Sequence, residues 1–172
     1  TESGAVLFSS SDNGRSWSFR ATIARDTENT LRYQEPALCP DGEHGMLCFM
    51  RTWGANGRLA TARSLDGVNW SAPKLHQLKG HPFHPLRLSD GRILLTYGYR
   101  EAPFGIRARL LDSPAQDPDQ VPEIIIRDDG ICADLGYPWA VELSNGQVLV
   151  VYYWTDVEGI RHIQGSWLNL AG

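Results

Sequence analysis

Apolar positions along this chain fall in short runs of four to eight residues, broken by Asp-Gly, Asn-Gly and proline-containing turns. No helical periodicity persists beyond two turns. Runs such as Met46-Leu-Cys-Phe-Met50, Ile93-Leu-Leu-Thr-Tyr97 and Val148-Leu-Val-Val-Tyr152 have the length and β-branched or aromatic content of buried strands. The pattern predicts an all-β chain.

Three segments share one form: a strand, an Asp-Gly or Asn-Gly turn, and a second strand ending in aromatic or Arg residues. They run from Glu35 to Arg51, from His84 to Tyr97 and from Tyr137 to Tyr153, and their turn dipeptides begin at Asp41, Asp90 and Asn145, 49 and 55 residues apart. A period of about 50 residues built from short strands predicts a β-propeller with one four-stranded antiparallel blade per repeat. Residues 1–172 then form one partial propeller. Its blades fall at about 1–24 (two outer strands), 31–75, 81–127 and 132–170 (three strands), three to four in all.

A second motif lies between the hairpins. Ser10, Asp12, Gly14 and Trp17 have the form Ser-x-Asp-x-Gly-x-x-Trp, and Ser64, Asp66, Gly67 and Trp70 repeat it one residue shorter, with the Asp positions 54 apart. Physical chemistry suits these residues to a turn: the carboxylate accepts bonds from turn amides, Gly takes a positive φ, and Trp packs beneath as a plug. Because turn chemistry repeats with the blade, Asp12 and Asp66 are read as structural. Only a degraded third copy is visible, near Leu111-Asp112-Ser113-Pro114.

Composition narrows the classes of partner. The 172 residues are 42% hydrophobic and carry 16 Lys+Arg against 20 Asp+Glu, a net charge of −4, which excludes a disordered or collagen-like chain. No apolar stretch approaches the roughly 18 residues of a membrane-spanning helix. Without a run of Lys or Arg there is no electrostatic footprint for nucleic acid. Three cysteines, Cys39, Cys48 and Cys132, read as free thiols and leave the compartment open. No metal-ligand spacing or phosphate-cradling Gly loop appears, so neither metal nor cofactor is predicted.

Hairpin arithmetic places candidate chemistry. Residues equidistant from a turn face each other across an antiparallel pair. About Glu43, Glu35 meets Arg51; about Gly91, Arg100 meets the His81-Pro82 step with His84 nearby; about Asn145-Gly146, Tyr137 meets Trp154. These open ends are predicted to share one rim, collecting Glu35, Arg51, His81, His84, Arg100 and Tyr137 with the aromatics Trp53, Tyr99 and Trp154. The Asp-Gly turns and the two Asp motifs fall on the other.

These residues resemble the sialidase (neuraminidase) superfamily. The Ser-x-Asp-x-Gly-x-x-Trp motif is similar to the Asp-box of the bacterial-neuraminidase repeat. The segment Gln34-Glu-Pro-Ala-Leu-Cys-Pro-Asp-Gly through Arg51 resembles the sialidase stretch running from a Glu to an Arg, and Tyr137-Pro-Trp-Ala-Val-Glu-Leu-Ser-Asn-Gly resembles the stretch that opens on the catalytic Tyr. The resemblance implies retaining exo-α-sialidase-type hydrolysis of a terminal carboxylate-bearing sugar, with Tyr137 as nucleophile, Glu35 as its base, and Arg51 and Arg100 on the carboxylate. His81, His84, Trp53, Tyr99 and Trp154 would contact substrate. The family's first Arg and its Asp acid/base precede the Glu, and Arg20, Arg25 and Arg32 lack the Arg-Ile-Pro context. Six blades would need roughly 300 residues, so the remainder of the propeller is expected upstream. Two alternatives stay open on the residues: a propeller glycosidase or lyase that uses a rim His on another acidic polysaccharide, and a glycan-binding propeller without catalysis.

Overall fold

The computed structural model of this chain describes residues 3–170, and among them it contains thirteen strands and no α-helix. Two compact units divide at Gln77/Leu78. In the first, β1 (Ser3–Ser9) pairs with β2 (Ser18–Asp26), and β3 (Tyr33–Asp41), β4 (Gly45–Thr52), β5 (Arg58–Ser64) and β6 (Lys74–Lys79) form a four-stranded sheet in chain order. The last strand, β6, runs across the boundary. In the second unit, β7 (Phe83–Arg87), β8 (Ile93–Tyr99), β9 (Phe104–Leu111) and β10 (Glu123–Gly130) form another four-stranded sheet, and β11 (Gly136–Glu142), β12 (Gln147–Thr155) and β13 (Arg161–Asn169) a three-stranded one. The all-β expectation of four-stranded antiparallel sheets holds.

The buried runs explain why these strands form. Leu47 through Met50 on β4 and Ile93 through Gly98 on β8 are buried at every position, as befits inner strands covered on both faces. In the first unit Ala5, Leu7, Ala21 and Ile23 of the β1–β2 pair pack with Cys48, Met50, Ala60 and Ala62 of the next sheet. In the second, Leu94, Ile106 and Ala108 pack with Val148, Val150, Tyr152 and Trp154. Cys39 and Cys48 are buried free thiols, and Cys132 is also free.

Registers follow the hairpin arithmetic near each turn and depart from it at the open ends. Asp41 pairs with Gly45 and Ala37 with Phe49, symmetric about Glu43, but Gln34 rather than Glu35 then faces Arg51. Glu35-Pro36 bulges out of the ladder. Likewise Glu142 pairs with Val148 and Trp139 with Val151, after which Gly136 meets Tyr153 and Tyr137-Pro138 bulges, so Tyr137 does not face Trp154. The cause is common to both: Pro has no N–H to give the ladder, and Glu35 and Tyr137 each take φ 51°, outside extended geometry. The second hairpin is symmetric about Asp90 rather than Gly91. Its ladder ends at Phe83–Tyr97, leaving Arg100 beyond the pairing instead of opposite His81-Pro82.

Both Asp motifs close turns at the side-chain level. Asp12 accepts from the Ser16 amide at 2.9 Å and the Ser10 hydroxyl at 2.7 Å, and Gly14 takes φ 82°. Its carboxyl is held down to about 2, first by the Ser16 hydroxyl and then by the Ser16 amide. Asp66 accepts from the amides of Val68 and Asn69 at 2.8 and 2.7 Å, which hold it well below the usual carboxylate range, the Asn69 amide foremost. Trp70 packs against the core of the first unit. Trp17 departs from the expected plug: it is 64% exposed, with its indole N–H donating to Gly14 O at 3.2 Å.

Candidate functional site

Each unit gathers its own share of the candidate residues. In the first, the bulge at Glu35 turns the carboxylate back toward β4, where Arg51 Nε donates to Glu35 Oε2 at 2.7 Å. A second guanidinium nitrogen of Arg51 donates to Gln34 Oε1 at 2.6 Å. Both side chains of the Glu35–Arg51 pair are mostly buried. Two acceptors on one planar guanidinium fix its orientation, as Lys could not. The predicted meeting of Glu35 with Arg51 is therefore present, made by a bulge and not by direct register.

In the second unit, backbone proximity sets the geometry. A Cβ on Gly98 would lie 2.5 Å from His81 O and 2.9 Å from Gly136 Cα, and one on Gly136 2.8 Å from His81 O. Only glycine permits the three segments to converge. His81 N–H donates to Gly98 O at 2.9 Å. This convergence brings Tyr137, 46% exposed, beneath Arg100, whose guanidinium carbon lies 5.8 Å from the phenol ring centre. Arg100 donates from Nε to Leu135 O at 3.0 Å and from Nη2 to Tyr153 Oη at 2.8 Å. Tyr153 in turn donates to Asp134 Oδ1 at 2.9 Å, and Asp134 also receives Arg161. Burial first, and the bond to Asp134 second, push the Tyr153 phenol up to about 12; the Arg161 guanidinium, followed by the Tyr153 hydroxyl, lowers Asp134. The rings of Tyr137 and Tyr153 stand 6.1 Å apart.

Other candidates are placed differently from expectation. Trp154, read as a rim platform, is only 4% exposed, belongs to the second core, and has Arg127 3.7 Å from its ring centre. Strand alternation turned it inward. Tyr99 is half-buried with Arg107 5.0 Å from its ring centre. His84 stacks on Trp139 at 4.2 Å, and its buried Nε2 has no partner among the described residues; desolvation lowers its pKa. Trp53 remains half-exposed, in the first unit. Gln34, Asp134 and Tyr153 were missed as support residues. Hairpin counting that allowed for the proline bulge would have found Gln34, whereas Tyr153 and Asp134 meet at the open end of the β11–β12 hairpin, where Gly136 pairs with Tyr153.

With this geometry in place, comparison with known proteins adds the fold. Neither a protein-family model nor a curated protein matches the sequence. Among solved structures, the chain is similar to a protein of unknown function from Dyadobacter fermentans DSM 18053, with 40% identity and a TM-score of 0.91 over 98% of this chain and 46% of that one. It therefore spans about half the length of that protein. It is also similar to Penicillium chrysogenum α-L-arabinanase complexed with arabinobiose (17% identity, TM-score 0.69, 96% of this chain and 54% of that one) and to NanB solved with Optactamide (17%, 0.67, 99% and 28%). At these identities the latter two show the fold alone. The chain is all-β and built of β-propeller blades.

Proposed function

We propose that this chain is part of a propeller glycoside hydrolase of sialidase type, acting on a terminal sugar that bears a carboxylate. The observation that carries the reading is Tyr137: a half-exposed phenol, held at φ 51° before Pro138, with the Arg100 guanidinium beside its ring. Backbone strain of this kind costs roughly 1–3 kcal/mol and concentrates at functional sites. A neutral phenol suits attack on an anomeric carbon that bears a carboxylate, because a carboxylate nucleophile would be repelled there.

In this reading the Tyr137 oxygen attacks the anomeric carbon as the glycosidic C–O bond breaks. The departing oxygen takes a proton from a carboxylic acid that the family carries upstream of its Glu. Water then displaces Tyr137, so the configuration is retained. Glu35 serves as proton acceptor for the phenol, and Arg51 and Arg100 read the carboxylate. Support comes from the order of Glu, Arg, Arg and Tyr along the chain and from likeness in fold to solved structures that include an α-L-arabinanase. The alternative that employs a rim histidine gains nothing from His84, whose Nε2 is buried against Trp139.

The test is hydrolysis of a sialoside and of a glucuronide by a polypeptide that extends this chain to the length of its Dyadobacter relative. Sialoside turnover with retention, lost by at least about 100-fold in Tyr137→Phe, is the expected result. Unchanged turnover in that variant would sink the nucleophile assignment, and turnover of the glucuronide alone would move the substrate to uronic acids.

A further inference from the structure

In the first unit, an open cleft of about 480 Å³ is lined by Asn29, Thr30, Arg32, Trp53, Gly54 and Asn56. Of these residues only Trp53 was among the expected substrate contacts. Two loops build it, one following β2 and one joining β4 to β5. Trp53 N–H donates to Arg32 O at 3.1 Å and Gly54 N–H to Leu31 O at 2.9 Å. A Cβ on Gly54 would fall 1.7 Å from Thr30 O, so the loops meet backbone to backbone. The buried Asp26 carboxylate accepts the amides of Leu31 and Arg32, each at 2.8 Å, and of Thr30 at 3.2 Å. That carboxylate fixes the path of the first loop.

Three features of the cleft bear on what it could bind. Asn29, Arg32 and Asn56 all take φ 55°, so half of the six non-glycine residues with positive φ among the described residues line this one cleft. Asn enters this region readily, whereas Arg does not, and Arg32 is held there by the bond from its amide to Asp26. Arg32 is an exposed cation whose Nε donates to Asn29 O at 3.3 Å, and no carboxylate pairs with it among the described residues. Its guanidinium carbon lies 5.6 Å from the centre of the Trp53 ring, which is 49% exposed. An aromatic face, an unpaired guanidinium and two amide side chains match a pyranose ring that carries an anion: the ring lies on Trp, the anion takes paired bonds from Arg, and hydroxyls meet the amides.

We infer that the Arg32–Trp53 cleft binds a carboxylate-bearing pyranose, through residues other than Glu35, Arg51 and Tyr137. It requires neither turnover nor the mechanism proposed above.

The experiment is a titration of the 172-residue chain followed by the indole N–H resonances of its tryptophans, with the Trp53 signal assigned by its loss in Trp53→Phe. Probes are glucuronate, N-acetylneuraminate and galactose, each taken into the tens of millimolar. Expected is a saturable shift of the Trp53 resonance with at least one acidic sugar, weakened about tenfold or more in Arg32→Gln and only partly restored in Arg32→Lys, which keeps the charge without the paired bonds. The other indole signals, unchanged in the variants, verify that the fold is kept. No Trp53 shift with either acid overturns the proposal, as does an equal shift with galactose or a shift that persists undiminished in Arg32→Gln. Failure here leaves the Tyr137 reading untouched, since that reading is judged by turnover.

Discussion

Glu35 and Tyr137 hold the same backbone conformation, φ 51°, each directly before a proline and each bulged out of the first strand of its sheet. Two catalytic candidates chosen for their chemistry thus share a strained geometry that no hairpin register requires. A residue before proline is already restricted, and a left-handed φ is costly for any side chain larger than Gly or Asn. Tyr137→Val should therefore be less stable than Tyr137→Asn by about 1–2 kcal/mol, read as the difference in urea midpoint. Equal stabilities would mean that the strain is absent in solution.

Arg51 is held by two acceptors, Glu35 and Gln34. Lys can satisfy one of them and leaves the other partly buried without a donor. Arg51→Lys is expected to cost about 1–2 kcal/mol, and Arg51→Lys with Gln34→Leu to recover part of that loss. A double variant no better than the single would place the cost elsewhere.

Tyr153 titrates late because burial and Asp134 favour its neutral form. A folded-state pKa above the unfolded value near 10 means that its contribution to stability is complete below pH 10 and is lost as the pH rises toward about 12. Ultraviolet titration should show one phenol ionising near pH 12, absent in Tyr153→Phe. Because Tyr153 links Arg100 to Asp134, the same substitution should also loosen Arg100, seen as faster exchange of its guanidinium protons.

His84 carries the opposite sign. Burial lowers its pKa beneath the ordinary value of 6.5, so the native state resists protonation and the unfolded chain does not. Its contribution is present above pH 6.5 and declines as the pH falls. The fall in urea midpoint between pH 7 and pH 5 should be smaller in His84→Phe, which keeps the stack on Trp139 without a nitrogen to protonate. An identical fall in both proteins would exclude His84 as its source.

Asp26 organises the loop that contains Arg32 through the amides of Thr30, Leu31 and Arg32. Asp26→Ala should accelerate hydrogen exchange at these three amides far more than at the core amides of β4. Uniform acceleration would indicate global destabilisation instead.

The residues alone determined the strands and their turns, because apolar runs of strand length, Asp-Gly and Asn-Gly dipeptides and a repeat near 50 residues act locally and leave a trace in the linear chain. They also placed Glu35 and Arg51 at the open end of one hairpin, although the contact between them is made by the bulge and not by the register. Other features depended on contacts that no local rule encodes. The direction in which Trp154 points followed from which face of β12 the second core covers, and the bulges at Glu35 and Tyr137 followed from proline interrupting a ladder whose remaining bonds hold it in place. The chain Arg100–Tyr153–Asp134 joins one strand residue to two loop residues through the close approach of Gly98 and Gly136, and the Arg32–Trp53 cleft exists because a buried aspartate bends one loop against another. Position along the chain cannot reveal such meetings, because they are set by packing across sheets and loops, whose partners lie tens of residues apart.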